Sequence, residues 1–369
     1  MSKVALLSSV AALAAGALLS SATLSRADDM AALVDAAKKE GQLTVIALPH
    51  DWCDYGDLIS SFKAKYGLTI NELNPDGGSG DEVEAIKANK DNKGPQAPDV
   101  IDVGLGFGPS AKADKLIQPY KVATWASIPD DAKDADGYWY GDYYGVLAFA
   151  VNADAIKNPP ADWSDLAKPE YKGAFAVVGD PRTANQAAMA VYASGMAGGG
   201  DAVGIAKKGL EFFASLNKSG NFVPVTGGAA TIAQGTTPIV AMWDYNAMAA
   251  RDNLKGNPKI DVVVPKSGVV AGVYVQAISA YAPHPAAAKL WMEHLYSDEG
   301  QIGWLKGYCH PIRFNDLAAK GKVPADLLAK LPPAADYAQA KFPSLADQKA
   351  AKETIAKDWD STVGATVAK

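Results

Sequence analysis

The sequence predicts an α/β protein made of two α/β lobes joined by crossing hinge strands. Three observations carry that reading. Short apolar strands alternate with amphipathic helices from residue 28 onward, the pattern of a largely parallel sheet. The alternation breaks in "NPPADWSDLAKPEYKG" (158–173), a turn-rich stretch with three prolines, and then resumes. Two long apolar strands, near 145–152 and 273–281, bracket the middle block, as two lobes linked by two crossings require.

Residues 1–27 stand apart. Lys3 gives a positive start, "VALLSSVAALAAGALL" follows without charge, and Ser25 and Ala27 occupy the small-residue positions of a cleavage site. This is the plan of a secretory signal peptide. The stretch is short for a membrane span and rich in Ala and Ser rather than Leu. No cysteine stands at the mature start to carry a lipid. Removing Lys3 and Arg26 takes the formal charge from -6 to -8, which disfavours nucleic acid as a partner.

The mature chain then runs in order. "DDMAALVDAAKKEG" is a helix with acids at its start, lysines in its last turn and Gly41 as its stop. "LTVIAL" is a buried strand, "YGDLISSFKAKYG" a helix with Leu58, Ile59 and Phe62 on one face, and "LTINELN" a second strand. "PDGGSG" is a loop into the helix "DEVEAIKAN", and "PDVIDVG" is a third strand. "YGVLAFAVNAD" makes the first crossing. "AFAVVGDP", "AAMAVYASGMA", "AVGIAKKGLEFFASLNK", "PIVAMWDY" and "IDVVVP" form a second α/β unit. "GVYVQAISAYAPHP" returns, and "AAAKLWMEHLYSDEG" is a strong helix. The expected division is 1–27 signal peptide, 28–150 first part of lobe 1, 151–273 lobe 2, and 274–369 the return to lobe 1 with C-terminal helices.

Catalytic and metal signatures are missing from this order. There is no GxSxG elbow, HExxH or P-loop. Cys53 and Cys309 with four scattered histidines make no structural zinc site. An oxidising compartment permits a bridge between the cysteines, but the very long loop it would close leaves two separate thiols as the reading, with the bridge open. His284 and His310 precede prolines and read as turn residues, His294 reads as a surface position on its helix, and His50 has no evident partner. No catalytic residue, metal ligand or cofactor is expected.

Binding of a small polar solute fits better. Helix N-termini offer free N–H groups and partial positive charge, and small residues let a ligand approach them. "PDGGSGDE" offers Ser79 and Gly80, "GDPRTANQ" offers Arg182, Thr183 and Ala184, and "VTGGAATIAQG" offers Gly228 and Ala229. Such loops at strand ends are where open α/β sheets bind ligands. Aromatic faces are the second ingredient: Trp52 and Tyr55 after the first strand, Tyr143 at the first crossing, Trp243 and Tyr245 around Asp244, and Tyr274 on the returning strand. Asp244 suits an amine, and Arg182 suits a carboxylate or phosphonate.

In this order the segments "GQLTVIA", "GGSGDEVEAIKA", "PDVIDVG", "YGVLAFAVNADAI", "WSDLAKPEYKG", "GDPRTAN" and "AISAYAPHPAAAKLWMEHLYSDEGQ" resemble the periplasmic substrate-binding proteins of ABC importers. The resemblance spans the mature chain and lies toward the family that includes ferric-iron, thiamine, polyamine and aminoethylphosphonate binders. It implies a type II two-lobed fold, a periplasmic location, a monomer that closes on a small solute, and delivery to a membrane permease driven by an ATPase. By position, Trp52 falls on the first cleft loop, Ser79 and Gly80 on the second, Thr183 and Ala184 on the third, and Asp244 and Tyr245 on the fourth, with Tyr274 near the hinge. Ferric binders carry adjacent tyrosines after the returning hinge, whereas here the adjacent pair is Tyr143–Tyr144. An amine-bearing solute (polyamine or amino-acid-like) is therefore expected first, then a phosphonate or phosphate ester, a thiamine-like cation, and iron. The rival class is a secreted hydrolase using His50, Asp180 or Asp244, and a sensing role would use the same cleft.

Overall fold

The computed structural model describes residues 28–331 and 339–368. The expected signal peptide lies outside the described residues. Eleven strands are described: β1 Gln42–Ile46, β2 Thr69–Leu73, β3 Val100–Gly104, β4 Ile117–Gln118, β5 Tyr140–Asn152, β6 Phe175–Val177, β7 Phe222–Thr226, β8 Ile239–Trp243, β9 Ile260–Val263, β10 Ala271–Ser279 and β11 His310–Pro311.

Strand β5 organises the molecule. It is 13 residues long and begins earlier than its apolar run suggests, because "YGDY" extends it backward from Tyr144. Its first half pairs antiparallel with β10, and its second half pairs antiparallel with β8 and β9. One half carries β10, β3, β4 and β11, and the other carries β8, β6 and β7. The parallel pair β1–β2 joins the first group where the Asp99 amide donates to the Thr44 carbonyl at 2.9 Å. The chain is thus two α/β lobes sharing a crossing strand, as the alternation implied.

Each lobe buries its sheet beneath helices. In the first, Leu58, Ile59 and Phe62 of helix Tyr55–Tyr66 pack with Trp291, Leu295 and Trp304. Phe62 meets the Trp291 ring edge-on at 5.1 Å. His294, expected at the surface, is 1 % exposed in this layer. Its helix needs a residue facing Phe62 and Tyr66, and the imidazole supplies an edge to both rings. In the second lobe Phe175, Phe213, Phe222 and Trp359 form a ring cluster. Trp359 belongs to helix Leu345–Thr362, so that helix packs on the middle block rather than on the returning segment. Ala368 extends the same attachment by bridging in parallel to Val225 on β7. The physical reason is the apolar stripe Ala351, Ile355 and Trp359, which finds its partner in helix Ala202–Ser219.

No helix among the described residues is long and apolar enough to cross a membrane.

Candidate functional site

The loop after β1 turns back sharply at Cys53 and Asp54, whose φ angles are 49° and 63°. Non-glycine residues hold that left-handed region only when the surroundings enforce it. Here the enforcing bond is a disulfide between Cys53 and Cys309, with Cα atoms 5.4 Å apart. The reading of two separate thiols is therefore corrected: the fold brings the start of the chain and the segment before β11 together, whatever their sequence separation.

The pinned loop presents Trp52 to a set of rings. Its indole Nε1 donates to the Tyr143 hydroxyl at 2.6 Å. Its ring makes edge contacts with Tyr245 and Tyr274, both at 5.4 Å. Tyr143 stacks on Tyr274 at 5.5 Å, and Trp243 lies edge-on to Tyr274 at 6.3 Å. Gly145 is required here, since a Cβ there would lie 2.4 Å from the Tyr245 ring. Each such ring pair contributes roughly 0.5–1.5 kcal/mol, so a solute entering between them must offset that contact.

Beneath the rings lies a carboxyl cluster that the sequence reading did not single out. Asp102 on β3 stands opposite Gln276 on β10 in register. Its Oδ2 accepts from the Tyr143 hydroxyl at 2.6 Å and from the Tyr55 hydroxyl at 2.7 Å. The Gln276 amide donates to the Tyr55 oxygen at 2.8 Å and to Asp142 Oδ2 at 2.9 Å. Glu82 Oε2 accepts from the Asp102 amide at 2.8 Å. Glu82, Asp102 and Asp142 are 2 %, 5 % and 0 % exposed. Among the described residues no lysine, arginine or histidine pairs with any of them. Burial pushes the Asp102 carboxyl up to about 7, with the Tyr143 and Tyr55 hydroxyls pulling it back. Burial, then the charge of Asp102, raises Glu82 and Asp142 well above the usual range. Asp102 Oδ1, Gln276 Oε1 and the Tyr245 hydroxyl are buried without a hydrogen-bond partner among the described residues.

The other expected residues fall into distinct environments. Ser79 Oγ accepts from the Gly104 amide at 3.1 Å, tying its helix to β3. Gly80 N donates to the Thr183 carbonyl at 3.3 Å, so the second and third loops meet across the lobes beside Ala184. Trp243 is fully buried, its amide held by Gln186 at 2.9 Å. Asp244 is also fully buried, and its Oδ1 accepts from the Val146 and Tyr245 amides, both at 2.9 Å. It clamps β5 to the start of helix Asp244–Leu254, with the His310 imidazole 3.8 Å away. Arg182 pairs with Asp180 and, at 2.8 Å, with Asp360 of the closing helix. That commitment explains why it does not lead the site: two carboxylates already occupy its guanidinium. His50, read as partnerless, contacts Glu72 at 2.6 Å. Among the described residues no cluster of His, Cys, Asp or Glu could hold a metal ion.

Comparison with known proteins places this geometry. A relative 30% identical over 152 residues is the spermidine/putrescine-binding periplasmic protein of Escherichia coli (strain K12), the match spanning 39% of this chain and 40% of that protein. The chain thus matches about two fifths of the length of that curated relative. The fold is shared with the periplasmic binding protein AfuA from Actinobacillus pleuropneumoniae, solved with fructose-6-phosphate bound, at TM-score 0.67 and 21% identity over 88% of this chain and 99% of that one. It is shared too with iron-bound HitA from Pseudomonas aeruginosa, at TM-score 0.65 and 20% identity over the same shares, 88% and 99%. The family model described as bacterial extracellular solute-binding protein matches residues 96–343. With that match running from β3 past β11 and covering Tyr143, Trp243, Tyr245 and Tyr274, the chain belongs to the bacterial extracellular solute-binding protein family.

Proposed function

We propose that the protein captures a small solute bearing at least one protonated amine and hands it to a membrane permease coupled to an ATPase. The carrying observation is the set of three buried carboxyls, Glu82, Asp102 and Asp142, with no cation beside them among the described residues. A buried charge needs a partner or a proton, and an ammonium group supplies the missing charge. Asp102 Oδ1 and Gln276 Oε1 are acceptors awaiting N–H donors. Trp52, Tyr143, Tyr245 and Tyr274 offer ring faces for the carbon stem or the cation. The spermidine/putrescine-binding relative supports this ordering. The engagement of Arg182 by Asp180 and Asp360 weighs against an anionic solute.

In this reading Trp52, Tyr55, Tyr143, Tyr245 and Tyr274 grip the solute, Ser79, Gly80, Thr183 and Ala184 form the meeting rim of the lobes, and Trp243 and Asp244 hold the hinge. We place 28–150 and the return from 274 in one lobe, and 151–273 in the other, moving 345–368 to the latter. Contacts made to both lobes favour closure, and the released energy is the differential binding that shifts the population.

The test is a thermal-shift and calorimetric screen of the purified protein against putrescine, spermidine, amino acids, phosphonates, thiamine and ferric salts. A true solute at a hundred times its Kd stabilises by about 2.7 kcal/mol. The expected result is a shift with an amine that Asp102→Asn abolishes. A shift confined to a phosphonate, thiamine or iron overturns the proposal.

A further inference from the structure

We infer that the Glu82–Asp102–Asp142 cluster is a proton-binding site that competes with the solute: without a cation the cluster holds a proton, and an arriving ammonium group expels it. The inference rests on the amine reading for its second half only.

The geometry forces the first half. The three acids come from three separate elements, helix Ser79–Ala88, β3 and β5, and converge in one buried volume. Their links are short and continuous. Tyr55 joins Asp102 to Gln276, Gln276 joins Asp142, and the Asp102 amide joins Glu82, each step between 2.7 and 2.9 Å. Among the described residues the titratable groups that face the cluster are all neutral or acidic. They are Tyr55 from its helix, Tyr143 from β5, Tyr274 from β10, Tyr245 from helix Asp244–Leu254, Tyr296 following helix Pro285–Leu295, and Asp81 beside Glu82. Three anions in such a volume would each carry a desolvation penalty, with like charges adding to it. Proton uptake is the less costly solution, and interacting acids then titrate as a set. The raised carboxyls, led by burial, agree with this.

The orphaned acceptors complete the argument. Asp102 Oδ1 and Gln276 Oε1 lack donors, on residues that face each other across β3 and β10. A carboxyl proton or an ammonium N–H can serve such acceptors, and both bring the same unit of charge. The two are therefore alternatives for one place, which makes binding release a proton.

Two measurements test this. First, putrescine or spermidine is titrated calorimetrically into the full chain at pH 6 in two buffers of unlike ionisation heat. The expected result is release of about one proton per solute and a Kd that weakens by about tenfold per pH unit below the point where the cluster ionises. A Kd flat from pH 5 to 8, with equal heats in both buffers, overturns the exchange. Second, the infrared carbonyl band of protonated carboxyls is recorded at pH 7 on the protein alone. A band that is lost or displaced in Asp102→Asn supports the proton site, and its absence overturns it whatever the solute proves to be. If the band is present but no amine binds, the amine reading and the exchange fall while the proton site stands.

Discussion

The indole N–H of Trp52 donates to the hydroxyl of Tyr143 at 2.6 Å, and that hydroxyl donates in turn to Asp102 at 2.6 Å. A half-buried side chain on the loop after β1 is thereby wired to a carboxyl on β3 through the crossing strand. Trp52→Phe keeps a ring but breaks the wire. We expect affinity for the amine that binds wild type to fall by about tenfold, the worth of one hydrogen bond to a polar network. Stability should change by less than about 1 kcal/mol, because Trp52 is only half-buried. Isothermal titration paired with denaturant unfolding checks both. An unchanged Kd would remove Trp52 from the grip.

Asp244 and Asp102 are both buried acids, yet their replacement should act in opposite ways. Asp244 accepts two backbone amides that no other acceptor would serve, so Asp244→Ala should cost about 3 kcal/mol of stability. Asp102 stands among other acids, and Asp102→Asn relieves that crowding. Its stability at pH 8 should equal or exceed wild type while amine binding is lost. Chemical denaturation of the two variants side by side decides it, and a destabilised Asp102→Asn would show that the cluster is structural.

The same chemistry sets a pH dependence. Carboxyls whose folded pKa lies above the unfolded value hold a proton in the native state that the unfolded chain has released. Solute-free stability should thus fall as pH rises from about 4 through about 7, by roughly 1.4 kcal/mol per unit per group. His294 opposes this below its ordinary 6.5, because burial lowers it to about 4 and the unfolded chain takes the proton first. Its contribution is lost as pH falls through that window. His294 is common to wild type and Asp102→Asn, so the difference between the two isolates the carboxyl over about pH 4 to 7. Thermal melts across that range should show a falling Tm in wild type and a flatter line in Asp102→Asn.

Much of this architecture was legible in the chain. The alternation of strand and helix, and the two long apolar runs, required lobes with two crossings. The stretches bearing Ser79–Gly80 and Thr183–Ala184 were readable as strand-end turns and they do meet, although Ser79 and Gly80 already open the helix Ser79–Ala88. The carboxyl cluster was visible only as an acid set between Ile101 and Val103 in an apolar strand. Sequence shows that such an acid is buried, but not which hydroxyls, carboxyls and side-chain amide arrive, from Glu82 20 positions before it to Gln276 on β10. Asp244 illustrates the converse: an acid between two aromatics suggests a ligand, yet its nearest donors are the amides of Val146 on β5 and of Tyr245 beside it. The disulfide and the docking of helix Leu345–Thr362 depend on long-range packing that local patterns do not encode.

Tyr308 offers a contact between lobes that can be removed without touching the rings. Its hydroxyl donates to Asp252 on helix Asp244–Leu254, and Arg251 lies 6.0 Å over its ring. The pair is at the surface, so its contribution is modest, on the order of 1 kcal/mol. Tyr308→Phe should speed solute release by about fivefold while leaving the association rate within twofold, since closure-stage contacts act on dissociation. Stopped-flow tryptophan fluorescence resolves the two rates. Equal rates for variant and wild type would mean that this contact does not contribute to holding the lobes shut.

The Cys53–Cys309 bridge ties both of these elements together. Trp52 precedes one cysteine and Tyr308 precedes the other, and Cys53, Asp54 and Tyr308 all hold left-handed backbone. Gly307 permits the approach, since a Cβ there would lie 2.2 Å from the Cys53 backbone. Joining residues separated by 256 positions removes much freedom from the unfolded chain, worth about 5 kcal/mol by the entropic account and less where the unfolded state keeps structure. Replacing both cysteines with serine should lower stability by about 2–5 kcal/mol. It should also release Trp52 from its strained turn and weaken solute binding by about tenfold, an effect a plain staple would not have. Denaturation with and without reductant gives the first figure, and titration of the folded double variant gives the second. A large stability loss with undiminished affinity would confine the bridge to holding the fold, with Trp52 positioned by its ring contacts alone.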